Sequence, residues 1–307
     1  MRTTEFASGL AVTTYPAPLA DFDFERATKA EQERYGVPEF PTEKARQHFL
    51  RTVKGARIIE PEFKPRERKR SGLPALRRAH GVETSRSWSG GVVYSPSGDQ
   101  IWFVCGAWNI PTPSLPSGAP SGILYPVSSW VGLDGDNSGD VLQAGCDADI
   151  TLSSGQQRIQ YSPWWEWYPA ESFWITNMSV VAGEEFACSI YCISLANGSA
   201  NPNSALMVVA NASRGPVMYF VVTAPPGTVL QGNCAEWIVE ALNTGPHGAT
   251  ELAKYTPVKF TDCVAVTVQG KYLYPSDGNT INMTNSSGTV ISEGKIYGEV
   301  EVVYELS

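Results

Sequence analysis

Val141-Leu-Gln-Ala-Gly-Cys-Asp147 alternates small or polar residues with apolar ones at a period of two. Side chains two apart on a strand share a face. Gln143, Gly145 and Asp147 therefore point one way, and Leu142, Ala144 and Cys146 the other, toward a core. Two further runs divide in the same manner. In Trp164-Trp-Glu-Trp-Tyr168, Trp164, Glu166 and Tyr168 share one face and Trp165 and Trp167 the opposite one. In Ala235-Glu-Trp-Ile-Val-Glu240, Glu236, Ile238 and Glu240 stand against Trp237 and Val239. Three such runs decide for strands rather than helices.

From Trp88 onward the same texture continues. Short runs rich in Val, Ile, Tyr, Phe and Trp are bounded by Gly, Pro, Asn, Asp or Ser, with almost no helical periodicity between them. Such a series predicts an all-β unit, a sandwich or a barrel. The proline-rich stretch 111–120 reads as a loop, because proline cannot donate to a strand ladder.

The first 86 residues are different in kind. They hold 17 Lys and Arg against 12 Asp and Glu, a balance of +5, whereas residues 87–307 hold 6 and 19, a balance of −13; together these give the net charge of −8. All nine Trp fall in the second part. The division predicts a basic leader over 1–86 and a folded unit over 87–307. Two helices are expected in the leader. One follows the capping-box pattern Thr28-Lys-Ala-Glu31 and ends at Gly36; the other starts near Thr42 and carries Ala45, Phe49, Leu50 and Val53 at helical spacing. The run Lys64-Pro-Arg-Glu-Arg-Lys-Arg70, with Arg77-Arg78 beyond it, reads as a processing site or a clamp on the acidic unit, or else as a solvated linker.

These balances also exclude partners. An acidic unit has little with which to neutralise phosphates, so nucleic acid is not expected. No apolar run reaches 18 residues, so no membrane-spanning helix is expected, and Met1–Ala20 lacks the pattern of a secretory signal. The six cysteines sit in apolar runs and read as buried small hydrophobes. Neither metal-ligand spacing nor a Gly-x-Ser-x-Gly elbow occurs, and the acidic unit's one histidine, His247, lies in a Gly-Pro-His-Gly loop. No metal or cofactor is expected. Carboxylates and amides on strands remain as the chemistry on offer.

Residues 87–268 resemble the glutamic peptidases of the eqolisin family, in seven stretches that occur in family order. They are Ser87-Trp-Ser-Gly-Gly91, Ile110 to Gly118, Trp130-Val-Gly-Leu-Asp-Gly-Asp136, Val141 to Gly145, Trp165-Glu-Trp-Tyr-Pro169, Ala235 to Glu240 and Phe260-Thr-Asp262. The resemblance implies an antiparallel two-sheet β-sandwich, a concanavalin-like jelly roll, with a catalytic pair on its concave face. It assigns Gln143 and Glu240 as that pair, and Trp130, Asp134, Asp147, Trp164, Glu166 and Tyr168 as residues lining the substrate cleft. It further implies an acid endopeptidase acting on polypeptides, monomeric, made as a zymogen with its own N-terminal segment as inhibitor, and working in a secreted, acidic setting. Where the family carries an acidic residue beside the Trp-rich run, this chain has Ser162. The expectation is that Gln143 and Glu240 converge across an open, wet trough with room for a water molecule. Two rival readings remain at this point: a jelly-roll glycoside hydrolase with Glu166 and Glu240 as paired carboxylates, and a carbohydrate-binding sandwich with Trp164 and Tyr168 as a stacking platform.

Overall fold

A computed structural model describes residues 1–66, 77–79, 81–136, 138–242 and 252–305, with the side chains of 77–79 excepted. Most strands pair in two antiparallel series, to which Arg57–Ile58 and Val82–Ser85 add in parallel beside Pro216–Thr223 and Asn279–Thr284. The first runs in the order Phe63–Pro65, Ser172–Ile175, Gln156–Tyr168, Val141–Ser153, Ser128–Asp134, Cys234–Glu240, Trp88–Tyr94 and Asn279–Thr284. The second runs Arg2–Glu5, Ala11–Thr14, Pro216–Thr223, Ser204–Asn211, Glu185–Tyr191, Ile101–Asn109, Val258–Thr267 and Val300–Tyr304. Val290–Ile296 pairs with the last strand of each, so hydrogen bonding passes unbroken from one series to the other.

The period-two reading accounts for the packing. Leu142, Ala144, Cys146, Trp165, Trp167, Trp237 and Val239 enter one large core together with Val104, Trp108, Phe186 and Val209 of the second series. The opposite face of the first series builds a separate apolar cluster from Trp88, Val92, Trp130, Trp164, Cys234, Ile238 and Ile281. Burying a large side chain fully is worth roughly 1.5–3 kcal/mol, so each run is committed to its register by several such residues at once. All six cysteines are buried and free.

Residues 1–66 are woven into this structure. Helix α1 (Lys29–Tyr35) starts at the Thr28–Glu31 capping box and stops at Gly36, whose φ of 70° suits glycine. Helix α2 (Glu43–Val53) starts at Thr42, whose hydroxyl accepts from the Ala45 N–H, and buries Ala45, Phe49, Leu50 and Val53. It lies on the outer side of the second series, with Phe49 edge-on to Tyr219 and His48 edge-on to Phe103. Leu10, Val12, Phe24, Phe49 and Leu50 belong to the same core as Trp102, Trp108, Trp165, Trp167 and Trp237. Arg2–Glu5 and Ala11–Thr14 extend the second series and Phe63–Pro65 the first, so the N-terminal residues add strands to both. No helix among the described residues is long and apolar enough to cross a membrane.

Candidate active site

The Ser128–Asp134 strand lies between the strand of Gln143 and the strand of Glu240, and its register sets the layout. Gly132 stands opposite both Gln143 and Glu236, Trp130 opposite Gly145 and Ile238, and Ser128 opposite Asp147 and Glu240. Gln143 is in turn opposite Glu166, and Gly145 opposite Trp164. The candidate side chains thus share one face, with Gln143 and Glu240 offset by four residues along the middle strand.

Trp130 fills that offset. Its indole N–H donates to Glu240 Oε2 at 2.9 Å, and Trp88 packs against it edge-on with ring centroids 5.0 Å apart. Two glycines make the space. A Cβ on Gly132 would meet the Trp130 ring at 2.8 Å, and one on Gly145 would meet the Ser129 carbonyl oxygen at 2.3 Å and Trp130 Cβ at 2.6 Å. Gln143 is held at one end, its Nε2 donating to Glu166 Oε2 at 2.9 Å. Its Oε1 is buried and has no donor among the described residues. A buried acceptor left without a donor costs about 1–3 kcal/mol.

Asp147 sits two positions farther along its strand from Gly145. The Ser128 hydroxyl donates to its Oδ1 at 2.6 Å and accepts from Trp164 Nε1 at 3.1 Å. Its Oδ2 takes a short bond from Arg66 Nη2, an ion pair in which both side chains are fully buried. The guanidinium carbon also lies 5.0 Å from the Trp164 ring centroid and 4.6 Å from that of Trp174.

The other assigned residues stand apart. Asp134, at φ 64°, accepts the backbone N–H groups of Gln231, Gly232 and Asn233 at 2.6, 3.0 and 2.6 Å. It ties down the loop that enters the Glu240 strand. Burial raises its pKa, and the amide donors pull it the other way. Tyr168 is half-buried at the far end of its strand, opposite Val141. A second carboxyl cluster flanks the row. Tyr94 donates between Glu83 and Asp136 at 2.6 and 2.7 Å, and the Asp136 N–H donates to Glu236 at 3.0 Å. Burial pushes Glu236 well above the usual carboxyl range.

The expected open, wet wall is corrected by this arrangement. Gln143 is 1 % exposed, Glu240 6 %, and Trp130 and Trp164 0 %. Arg66 reaches this face through its pair with Asp147 and its approach to Trp164 and Trp174, whereas the Phe63–Pro65 strand adds at the sheet edge and turns Phe63 to Trp165 and Phe220 on the core side. Sequence reasoning missed Ser128, Trp174 and Arg66 as members of the site. Ser128 could have been found, since it lies two residues before Trp130 and so shares its face. His247 lies outside the described residues.

A mostly-β sandwich that carries a carboxamide and several carboxyls on one face of its sheet is the architecture of a glutamic peptidase. The chain belongs to the Peptidase A4 family, whose model matches residues 86–305. It is 28 % identical to aspergillopepsin-2 of Aspergillus niger over 279 residues, covering 86 % of this chain and 92 % of that one. It is 26 % identical to scytalidopepsin B of Scytalidium lignicola over 240 residues, covering 74 % and 79 %. Among solved structures, scytalido-glutamic peptidase with a transition state analog inhibitor superposes with a TM-score of 0.57 at 21 % identity, covering 72 % of this chain and 98 % of that one. Aspergilloglutamic peptidase from Aspergillus niger superposes with a TM-score of 0.50 at 27 % identity, covering 59 % and 99 %.

Proposed function

We propose that the chain is an acid endopeptidase in which Gln143 and Glu240 act together on one water molecule, and that its two strand series are the sheets of a jelly roll. The state of Gln143 carries this reading: Nε2 is anchored by Glu166 while Oε1 is buried and lacks a donor among the described residues. A water held there by Oε1 lies on the face that Glu240 shares. Glu240, ionised and steadied by the Trp130 indole, takes a proton from that water as its oxygen attacks the scissile carbonyl carbon. The Gln143 amide donates to the oxygen that gains negative charge. Glu240 then returns the proton to the leaving nitrogen as the carbon–nitrogen bond breaks. A carboxamide keeps its donors at any pH, and a glutamate with a reference pKa of about 4.3 still ionises in mild acid.

Residues 1–86 act in this reading as a leader that blocks the site of a monomeric zymogen. The buried Arg66–Asp147 pair and the edge strand Phe63–Pro65 support it. Acid protonates the carboxylates, weakens the clamp and allows self-cleavage between about Arg70 and Arg86. Residues 70–76 and 80 of that stretch lie outside the described residues. The rival pairing of Glu166 with Glu240 on a sugar leaves the Gln143 amide, already bonded to Glu166, with no part in the reaction.

The test is to incubate the purified full chain from about pH 3 to pH 7, following its own size and its digestion of an unstructured protein with pepstatin present. The expected result is shortening and pepstatin-resistant digestion that begin together in acid. A chain that digests at neutral pH without shortening contradicts the leader reading. A chain that digests nothing at any pH contradicts the peptidase reading.

A further inference from the structure

We propose that Asp147, Trp164 and Trp174 form a subsite for the guanidinium group of an arginine in the peptide substrate, and that Arg66 occupies it as a stand-in from the chain's own leader. The proposal deepens the peptidase reading and rests on it.

Three features make the slot specific. Its anion is set in advance, because Ser128 donates to Asp147 Oδ1 and is itself fixed by Trp164 Nε1, leaving Oδ2 to face the cation. Its walls are two indoles on neighbouring strands, Trp164 and Trp174, which pair directly in the sheet. With the guanidinium carbon 5.0 and 4.6 Å from their centroids, both rings lie within cation–π range. A planar, weakly hydrated guanidinium suits such a slot better than a compact ammonium, which is strongly hydrated and cannot stack.

The backbone of the occupant behaves as a bound peptide does. Phe63–Pro65 adds to the free edge of Ser172–Ile175 as an antiparallel strand, and the Arg66 N–H donates to the Ser172 carbonyl at 2.8 Å. Adding a strand to a sheet edge is a general mode of holding extended peptides, with side-chain pockets giving selectivity. Once the leader departs, the Arg66 guanidinium leaves the slot between Trp164 and Trp174. An arginine brought in by substrate then takes the place that Arg66 leaves beside Asp147 Oδ2.

The slot is tested first without catalysis. In the full chain carrying Arg66→Ala, or Arg66→Met if the alanine variant folds poorly, thermal unfolding is followed while ethylguanidinium, ethylammonium or ethylurea is titrated in. Ethylguanidinium is expected to raise the midpoint saturably, to do so at about tenfold lower concentration than ethylammonium, and to lose the effect when Asp147→Asn is added. Equal shifts for all three probes, or none, overturn the slot. The second arm uses acid-treated parent chain and peptides bearing Arg, citrulline or Leu at successive positions. One position is expected to favour Arg over citrulline by about tenfold in kcat/KM, and Asp147→Asn to collapse that ratio. Cleavage with no Arg preference at any position overturns the subsite and leaves the peptidase reading standing. Ethylguanidinium binding without any peptide cleavage supports the slot and overturns the peptidase reading.

Discussion

Trp130 shows how single residues build the site. It reaches Glu240 only because Gly132 and Gly145 flank it without side chains. At Gly145 a methyl group would sit 2.3 Å from a backbone oxygen, which cannot step aside as a flexible side chain would. Gly145→Ala is therefore expected to cost about 1–3 kcal/mol, measured by urea unfolding, and to shift Trp130 away from Glu240. An alanine variant as stable as the parent would show that the strands are not locked at this point. Alternation paired Gln143 with Asp147 and Trp164 with Glu166 within their runs, because period two is a property of the strand itself, and the registers then brought these faces together with that of Glu240. It gave no access to Arg66 or Trp174, whose parts depend on contacts across long stretches of chain. Nor could it show that Asp134 turns to cap the loop 231–233, which follows from its positive φ at the strand end.

Among the elements, α2 tells most about the leader. Its apolar stripe was legible from spacing, and so were its start at Thr42 and its need for a surface to lean on. That surface could not be read, because the outer face of the second series is defined only once the strands have paired. Phe49 is fully buried there, among Phe24, Phe40 and Tyr219. Phe49→Ala is expected to destabilise the whole chain by about 3–5 kcal/mol, seen as a single cooperative urea transition at lower midpoint. Loss confined to a separate early transition would mean that the helix is an appendage. The same packing governs what trimming does. After a cut beyond residue 66 at neutral pH, the leader fragment is expected to stay bound, so that gel filtration shows one species of full mass. Release of the fragment at neutral pH would contradict the shared core.

At the scale of the whole molecule, pH acts through buried groups of both signs. Burial pushes Asp140 up to about 7 and also raises Asp134 and Glu236. A carboxyl of raised pKa binds its proton more tightly in the folded chain. Its contribution is complete below the unfolded value near 4 and is lost as pH climbs toward 7. His48 has the opposite sign: burial, with Arg51 adding to it, lowers it to about 4. Its contribution is present above about pH 6.5 and lost as pH falls toward 4. All three carboxyls act in the same direction, against the one imidazole, and urea unfolding is expected to give higher stability near pH 5 than near pH 7.5. Asp140→Asn is expected to flatten that difference by about 1–2 kcal/mol; an unchanged slope would remove Asp140 from the account. The net charge of −8 pulls in the same direction, since acid relieves self-repulsion. The proposed reaction depends on an amide and a carboxyl sharing one water, and the most direct measurement is the kcat/KM of the acid-treated Gln143→Ala chain on a peptide that the parent cleaves. The expected result is a loss of at least about a hundredfold, the scale of removing an oxyanion donor, with folding intact by circular dichroism; a folded Gln143→Ala chain cutting at the parent's rate would contradict it.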